Sequence, residues 1–308
     1  MRASRVTLAP STQETELKLR LRPQDVPQLR RRLDRLGSVQ LRSIDNTYFD
    51  TADLRLAASK AALRLRRIEH AGRHRWVQTL KTEPVAAALS VRGEWETPVR
   101  AAAIEPERLA HSPLAQLLRR PKGAHSLAAR RVQEIARLPA ASRARESTRL
   151  PAARRLQPVF QTVFERSSWD VQAYGARIEA AIDEGQIRAG ARTEPVLELE
   201  LELIDGSPLA LLKLALQLAG VRGGRPADLG LLPYGDSKAA RGYRLARSLP
   251  PLALETDLAA VLAGGLARGA PTADALGDWE MLCGGLRRRL DEPALAEFAL
   301  RVLLASAS

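Results

Sequence analysis

Glu14, Glu16 and Lys18 stand two residues apart in the run Glu14-Thr15-Glu16-Leu17-Lys18. On a β-strand, side chains two apart share a face. Two carboxylates so placed can share a hard divalent cation through their oxygens, and the lysine can contact an anion that the cation holds. Arg20 and Arg22 continue the charged face, and Leu17, Leu19 and Leu21 lie opposite. Buried unpaired charges are costly, so this face must meet water, a metal or an ionic ligand. A solvated edge strand is the plain alternative. Recurrence of the pattern argues against it. Glu198-Leu199-Glu200-Leu201-Glu202-Leu203 alternates without a break, and Leu63-Arg64-Leu65-Arg66 alternates with basic residues. Arg92, Glu94 and Glu96 share one face of their segment, as do Glu179, Ala181 and Asp183. A like-charge row as dense as 198–202 repels itself unless cations neutralise it.

Strands are expected at 14–22, 41–50, 61–68, 73–82, 91–99, 157–169, 176–183 and 194–203, with turn formers such as Ala71-Gly72 and Glu83-Pro84 between them. Helical spacing marks 23–36, 104–120 and 207–219, and a polar turn enters a short helix within 233–247. Charged inner faces and leucine outer faces do not suit a sandwich core. They suit a closed barrel with a wet, ion-filled tunnel covered outside by helices. The expected fold is therefore α+β: an antiparallel β-barrel tunnel with flanking helices and a short C-terminal helical appendage. Residues 1–11 read as a leader and 12–249 as the tunnel domain. An Arg/Ala-rich insertion lies at about 121–155, and 250–308 form the helical segment after Pro250-Pro251. The paired carboxylates select Mg²⁺ or Mn²⁺, the facing basic groups suit a polyanion, and phosphoryl transfer to water is the chemistry that uses both.

The 308 residues carry a formal net charge of +13, which fits an anionic partner, although much of the excess lies in the 121–155 stretch. One cysteine, Cys283, excludes an internal disulfide and a multi-cysteine zinc site. It reads as a small packed residue. The four histidines show no metal-ligand spacing beyond His70 and His74, which flank a turn. No Gly-Lys-Ser/Thr ending follows Gly223-Gly224, so a phosphate loop of that type is excluded. No run of apolar residues is long enough to span a membrane. A cytoplasmic location is the expectation. The oligomeric state stays open.

The residues resemble the CYTH superfamily, the triphosphate tunnel metalloenzymes, and in particular bacterial inorganic triphosphatases that carry a CHAD domain. The likeness rests on Glu14-x-Glu16-x-Lys18, Tyr48-Phe49-Asp50-Thr51, Leu63-Arg64-Leu65-Arg66-Arg67, Thr79-Leu80-Lys81 and Arg92-x-Glu94. Arg166, Glu179-x-x-x-Asp183, Glu198-x-Glu200, Ser237-Lys238-Ala239 and Arg241-Gly242-Tyr243 extend it. The resemblance implies eight antiparallel strands and hydrolysis of inorganic triphosphate to diphosphate and phosphate. It implies divalent metal on Glu14, Glu16, Glu198 and Glu200, which with Lys18 form the catalytic set. It implies triphosphate, or another polyphosphate, on Lys18, Arg64, Arg66, Lys81, Arg92, Arg166 and Lys238. Glu94, Glu179, Asp183, Ser237 and Arg241 are secondary candidates, and Glu202 is expected to be exposed near its strand end. The helical segment, which has no histidine, corresponds to a truncated CHAD-like segment. A thiamine triphosphatase, an adenylate cyclase and a non-catalytic polyphosphate-binding module are the alternatives. No aromatic base pocket is evident, which favours the inorganic substrate. Nucleic acid is disfavoured as a partner, and no membrane is implied.

Overall fold

A computed structural model of the chain describes residues 12–82, 90–118, 156–266 and 273–307. The leader and the arginine-rich insertion lie outside the described residues. Among those described, nine strands form one antiparallel sheet. They are β1 (Thr12–Arg20), β2 (Val39–Thr51), β3 (Ala61–His70), β4 (Arg73–Thr82), β5 (Ser90–Val99), β6 (Leu156–Ala173), β7 (Ala176–Ala189), β8 (Arg192–Asp205) and the two-residue β9 (Leu232–Pro233). The order is β5-β4-β3-β2-β6-β7-β8-β1-β9, and β1 also pairs with β5. The circuit of eight long strands therefore returns to β1. Thr12–Glu16 of β1 face β5, and Glu16–Arg20 face β8.

The alternation read from the sequence sets the two faces of this sheet. Leu17, Leu19, Leu199, Leu201, Ile178 and Ile182 point outward and are at most 1% exposed. They are covered by α1 (Val26–Leu33) through Leu29 and Leu33, and by α4 (Leu209–Leu218) through Leu211, Leu214 and Leu218. Burying a leucine side chain stabilises by roughly 1.5–3 kcal/mol, so this outer shell is the main apolar core. Tight hairpins keep the strands in register: Ala71 and Gly72 both have positive φ (49° and 73°), the geometry of a two-residue turn whose twist matches the strands.

Shorter helices cap the ends of the sheet. They are α2 (Arg55–Ala58), α3 (Leu114–Leu117) and α5 (Lys238–Ala246). The helix expected over 104–120 is instead a 3-10 turn at Pro106–Leu109 followed by α3. Pro113, which has no N–H to donate, marks the start of α3. After Pro251 come α6 (Leu254–Leu266), α7 (Ala273–Arg287) and α8 (Glu292–Ala307). Their Leu258, Leu262, Cys283, Leu295, Leu300 and Leu303 join the same buried cluster as Leu17 and Leu19. The C-terminal segment thus shares the barrel's outer core. Among the described residues, no helix is long and apolar enough to cross a membrane.

Candidate active site in the barrel

The inner face encloses a cavity of about 370 Å³, lined by residues from β1 to β8 and from α5. Most of the residues singled out in the sequence meet there. Glu14, Glu16, Lys18, Arg64, Arg66, Lys81, Glu94, Arg166, Glu179, Glu200, Ser237 and Lys238 all border it. Arg92 lies opposite Glu14 in the β1–β5 register, and its side chain is outside the described residues.

One wall is acidic. Glu14 and Glu16 are 8% and 3% exposed. Lys81 Nζ donates to both Glu14 oxygens at 2.9 and 2.7 Å and lies 3.3 Å from Glu94. Lys18 pairs with Glu16. Glu202 is part of this wall and is not exposed as expected. It lies on β8 opposite Glu16 of β1 and opposite Glu179 of β7, and it borders the cavity. Burial pushes its carboxyl up to about 7, reinforced by Glu14, Glu16 and Glu179 and opposed by Lys81. Among the described residues the carboxylates outnumber the cations here, which suits a hard cation.

The facing wall is basic. Arg64, Arg66 and Arg166 crowd together, and Arg66 Nε donates to Asn46 at 2.7 Å. Burial, followed by the charges of Arg64 and Arg166, lowers the Arg66 guanidinium to about 10. Arg64 Nε is buried without a hydrogen-bond partner among the described residues. Like-charged guanidinia held this close favour an anion between them.

A third group lies behind the cavity. Asp183 and Glu198 are completely buried and do not border it. Arg166 grips Asp183 through two bonds of 2.7 Å and also reaches Glu200. Lys238 contacts Asp183 at 2.6 Å, Glu200 at 3.0 Å and Glu198. Burial alone would lower Lys238, but the three carboxylates outweigh it and hold the ammonium firmly charged. Glu200 is likewise held well below the usual carboxylate range: burial opposes this, and Lys238, Arg166 and Lys18 prevail. Asp183, Glu198 and Glu200 offer oxygens within 4.8 Å of one another, close enough for one ion. In this arrangement, however, the protein's own cations already neutralise them.

Local sequence explains how Lys238 gets there. Pro233-Tyr234-Gly235-Asp236 turns the chain from β9 into α5, and Ser237 caps that helix by accepting from Ala240 N at 3.2 Å. Tyr234 OH donates to Glu198, and Tyr234 N donates to Lys18 O at 3.1 Å. Arg241 does not reach the cavity. It pairs with Glu194 at 2.6 Å and Glu198 at 3.4 Å. Gly242 lets α5 settle on Phe160, since a β-carbon there would lie 2.1 Å from the ring. Asp50 accepts from the N–H groups of Thr51, Leu56 and Ala57 at 2.7–2.9 Å, which fixes the α2 turn leading to the cavity border at Lys60–Ala62.

Sequence reasoning missed two features. Tyr234 falls within the polar turn of 233–247 with no local mark of its partner; its pairing with Glu198 joins positions 36 residues apart. The cavity also has aromatic lining from Tyr48, Phe164 and Tyr243. These residues are scattered over three elements, so no local run announced them. Lys238 Nζ lies 5.0 Å from the centre of the Phe164 ring.

The model of the CYTH domain matches residues 12–224. An inorganic triphosphatase from Haemophilus influenzae is 30% identical over 237 residues, covering 76% of this chain. The aligned region amounts to 55% of that relative, so the chain spans about half the length of the curated protein it matches. Among solved structures, a putative adenylyl cyclase from Hippeastrum, described as having a dominant triphosphatase activity, aligns at 22% identity with a TM-score of 0.44. The alignment covers 77% of this chain and 97% of that one. A protein from Pyrococcus horikoshii OT3 aligns at 15% identity with a TM-score of 0.40, over 67% and 88% of the two chains. With more than half its length matched by the family model and the motif residues gathered in one barrel, the chain belongs to the CYTH domain family.

Proposed function

We propose that the chain hydrolyses inorganic triphosphate to diphosphate and phosphate, with a divalent metal, inside the barrel. The observation that carries this reading is a single cavity with an acidic wall facing an arginine wall. The name of the Haemophilus relative supports it.

The donor set fits a hard cation: all the candidate ligands are carboxylate oxygens, and burial, followed by acidic neighbours, destabilises the charged form of Glu202. Glu14, Glu16 and Glu202 would hold it, with Glu200 alongside. Mg²⁺ or Mn²⁺ bound there supplies charge neutralisation on phosphate oxygens and acidification of water. Glu198, expected among the ligands, together with Asp183 holds Lys238 and Arg166 in place. Arg64, Arg66 and Arg166 bind the phosphate oxygens from the opposite wall, with Lys18, Lys81 and Lys238 between. This set aligns the terminal phosphorus for attack by water while the bridging P–O bond breaks and diphosphate leaves.

The test is phosphate release from inorganic triphosphate with Mg²⁺ or Mn²⁺, with ATP, thiamine triphosphate and long-chain polyphosphate in parallel. Release from triphosphate alone is the expected result. No release from any of them, with metal-independent binding of polyphosphate, would sink the enzyme reading. A second reading, an organic triphosphate substrate, is favoured by Tyr48, Phe164 and Tyr243 on the wall. Faster release from ATP or thiamine triphosphate would select it.

A further inference from the structure

The turn that delivers Lys238 is held from three sides. Tyr234 ties it to β1 through the Lys18 carbonyl and to β8 through Glu198. The third hold comes from the C-terminal helices. Gly235 N–H donates to Asp257 Oδ1 at 3.2 Å, and Asp257 stands in the first turn of α6. Asp257 is 8% exposed. A β-carbon built on Gly235 would lie 3.3 Å from Val261 Cγ2 and 3.5 Å from Asp257 Oδ1, so α6 rests directly on the turn. Around Asp257 stand Asp236 of the same turn, Arg244 of α5 and Arg20 of β1. Arg244 in turn pairs with Asp236, 2.7 Å from its Oδ1. A buried carboxylate beside Asp236 is costly, and burial, followed by Asp236, pushes Asp257 up to about 6. Its place near the start of α6 and its bond from Gly235 offset part of that cost.

We propose that Asp257 is a positioning residue for the cavity lysine: by holding Gly235, helix α6 sets where Lys238 stands and so sets the affinity of the barrel for its polyanion. The inference deepens the triphosphatase reading and rests on it for the identity of the anion. It gives the segment after residue 250 a role in the site without contact with substrate.

The test uses the full chain and measures binding of inorganic triphosphate by calorimetry, with hydrolysis and thermal melts alongside. Asp257→Ala leaves the Gly235 N–H without its partner and should weaken triphosphate binding about tenfold. Asp257→Asn keeps an acceptor oxygen and should bind within about twofold of the wild type. In a Lys238→Ala background, Asp257→Ala should change affinity little further, because the two act through one group. Unchanged affinity in Asp257→Ala overturns the proposal. So does an Asp257→Asn variant as weak as Asp257→Ala, or full additivity with Lys238→Ala. Should Asp257→Ala not fold, Gly235→Ala, which presses on α6 from the turn side, takes its place: weaker binding that is not additive with Lys238→Ala supports the proposal, and unchanged affinity or full additivity overturns it. Binding without hydrolysis in the wild type would overturn the enzyme reading and leave this inference standing. No binding by the wild type would overturn both.

Discussion

Two acidic groups in this barrel are built from the same residue types and share one strand, yet they differ in what neutralises them. At the back of the cavity, Asp183, Glu198 and Glu200 meet Arg166, Lys238 and Arg241, and Lys18 also helps hold Glu200, so cations match carboxylates. On the cavity wall, Glu14, Glu16, Glu179 and Glu202 crowd one another, and Glu202 is pushed up to about 7, by burial first and then by those neighbours. The first group is a closed ionic lattice. Among the described residues, the second has fewer cations than carboxylates. An alternating Glu-Leu run therefore does two jobs within five residues, and the side chains supplied by other strands and by α5 decide which.

This contrast can be broken experimentally. The largest effect expected is on stability. Glu198→Gln weakens the hold on Lys238, Arg241 and Tyr234, and breaking a buried ion pair costs about 3–5 kcal/mol. Denaturant melts should show that loss with or without metal. Glu16→Ala should instead leave the fold standing and lower metal-dependent turnover by more than about 100-fold, beyond the loss typical of residues that merely support a metal ligand. Steady-state phosphate release checks it. Arg66→Ala comes next. Losing a charge-assisted contact should raise KM for triphosphate by roughly 10–100-fold. Glu202→Gln sharpens the comparison by opposite signs: without metal the melting temperature should rise as repulsion is relieved, while metal affinity falls. A parallel drop in both would place Glu202 with the closed lattice.

The last effect concerns Asp257. Its folded carboxyl, near 6, lies above its ordinary value of 3.8. The folded state thus binds the proton more tightly than the unfolded state, and stability falls as pH rises between those values. The wild type should lose about 2–3 kcal/mol across that window. Asp257→Asn should lack the slope in urea melts taken from pH 4 to 7.

How far the sequence disclosed all this follows from the range of each interaction. The inner and outer faces were legible because period-two alternation is local: Leu17 and Leu199 are buried outside, and Glu16 and Arg64 face in. The barrel followed from the same alternation repeated. Which carboxylate meets which cation was not legible. Glu198 and Glu202 have the same neighbours in sequence, and only the register with β1 and β7, and the arrival of Lys238, set them apart. Tyr234 and Asp257 lie outside every alternating segment, so nothing near them in sequence pointed to the site.

The way β1 closes the barrel has a consequence for how the chain reaches this state. Synthesis delivers β1 first, but its partner β5 begins at Ser90 and its partner β8 at Arg192. Contacts so distant along the chain form slowly, because a large loop must close before they stabilise anything. Until then the strand has two unpaired edges, the arrangement most prone to sticking to another chain. Its row of Glu14, Glu16, Lys18 and Arg20 makes such pairing costly during the wait, because charged side chains resist burial against another chain. The charges that form the acidic wall of the finished barrel thus also act earlier, as protection for a strand that is made first and seated last.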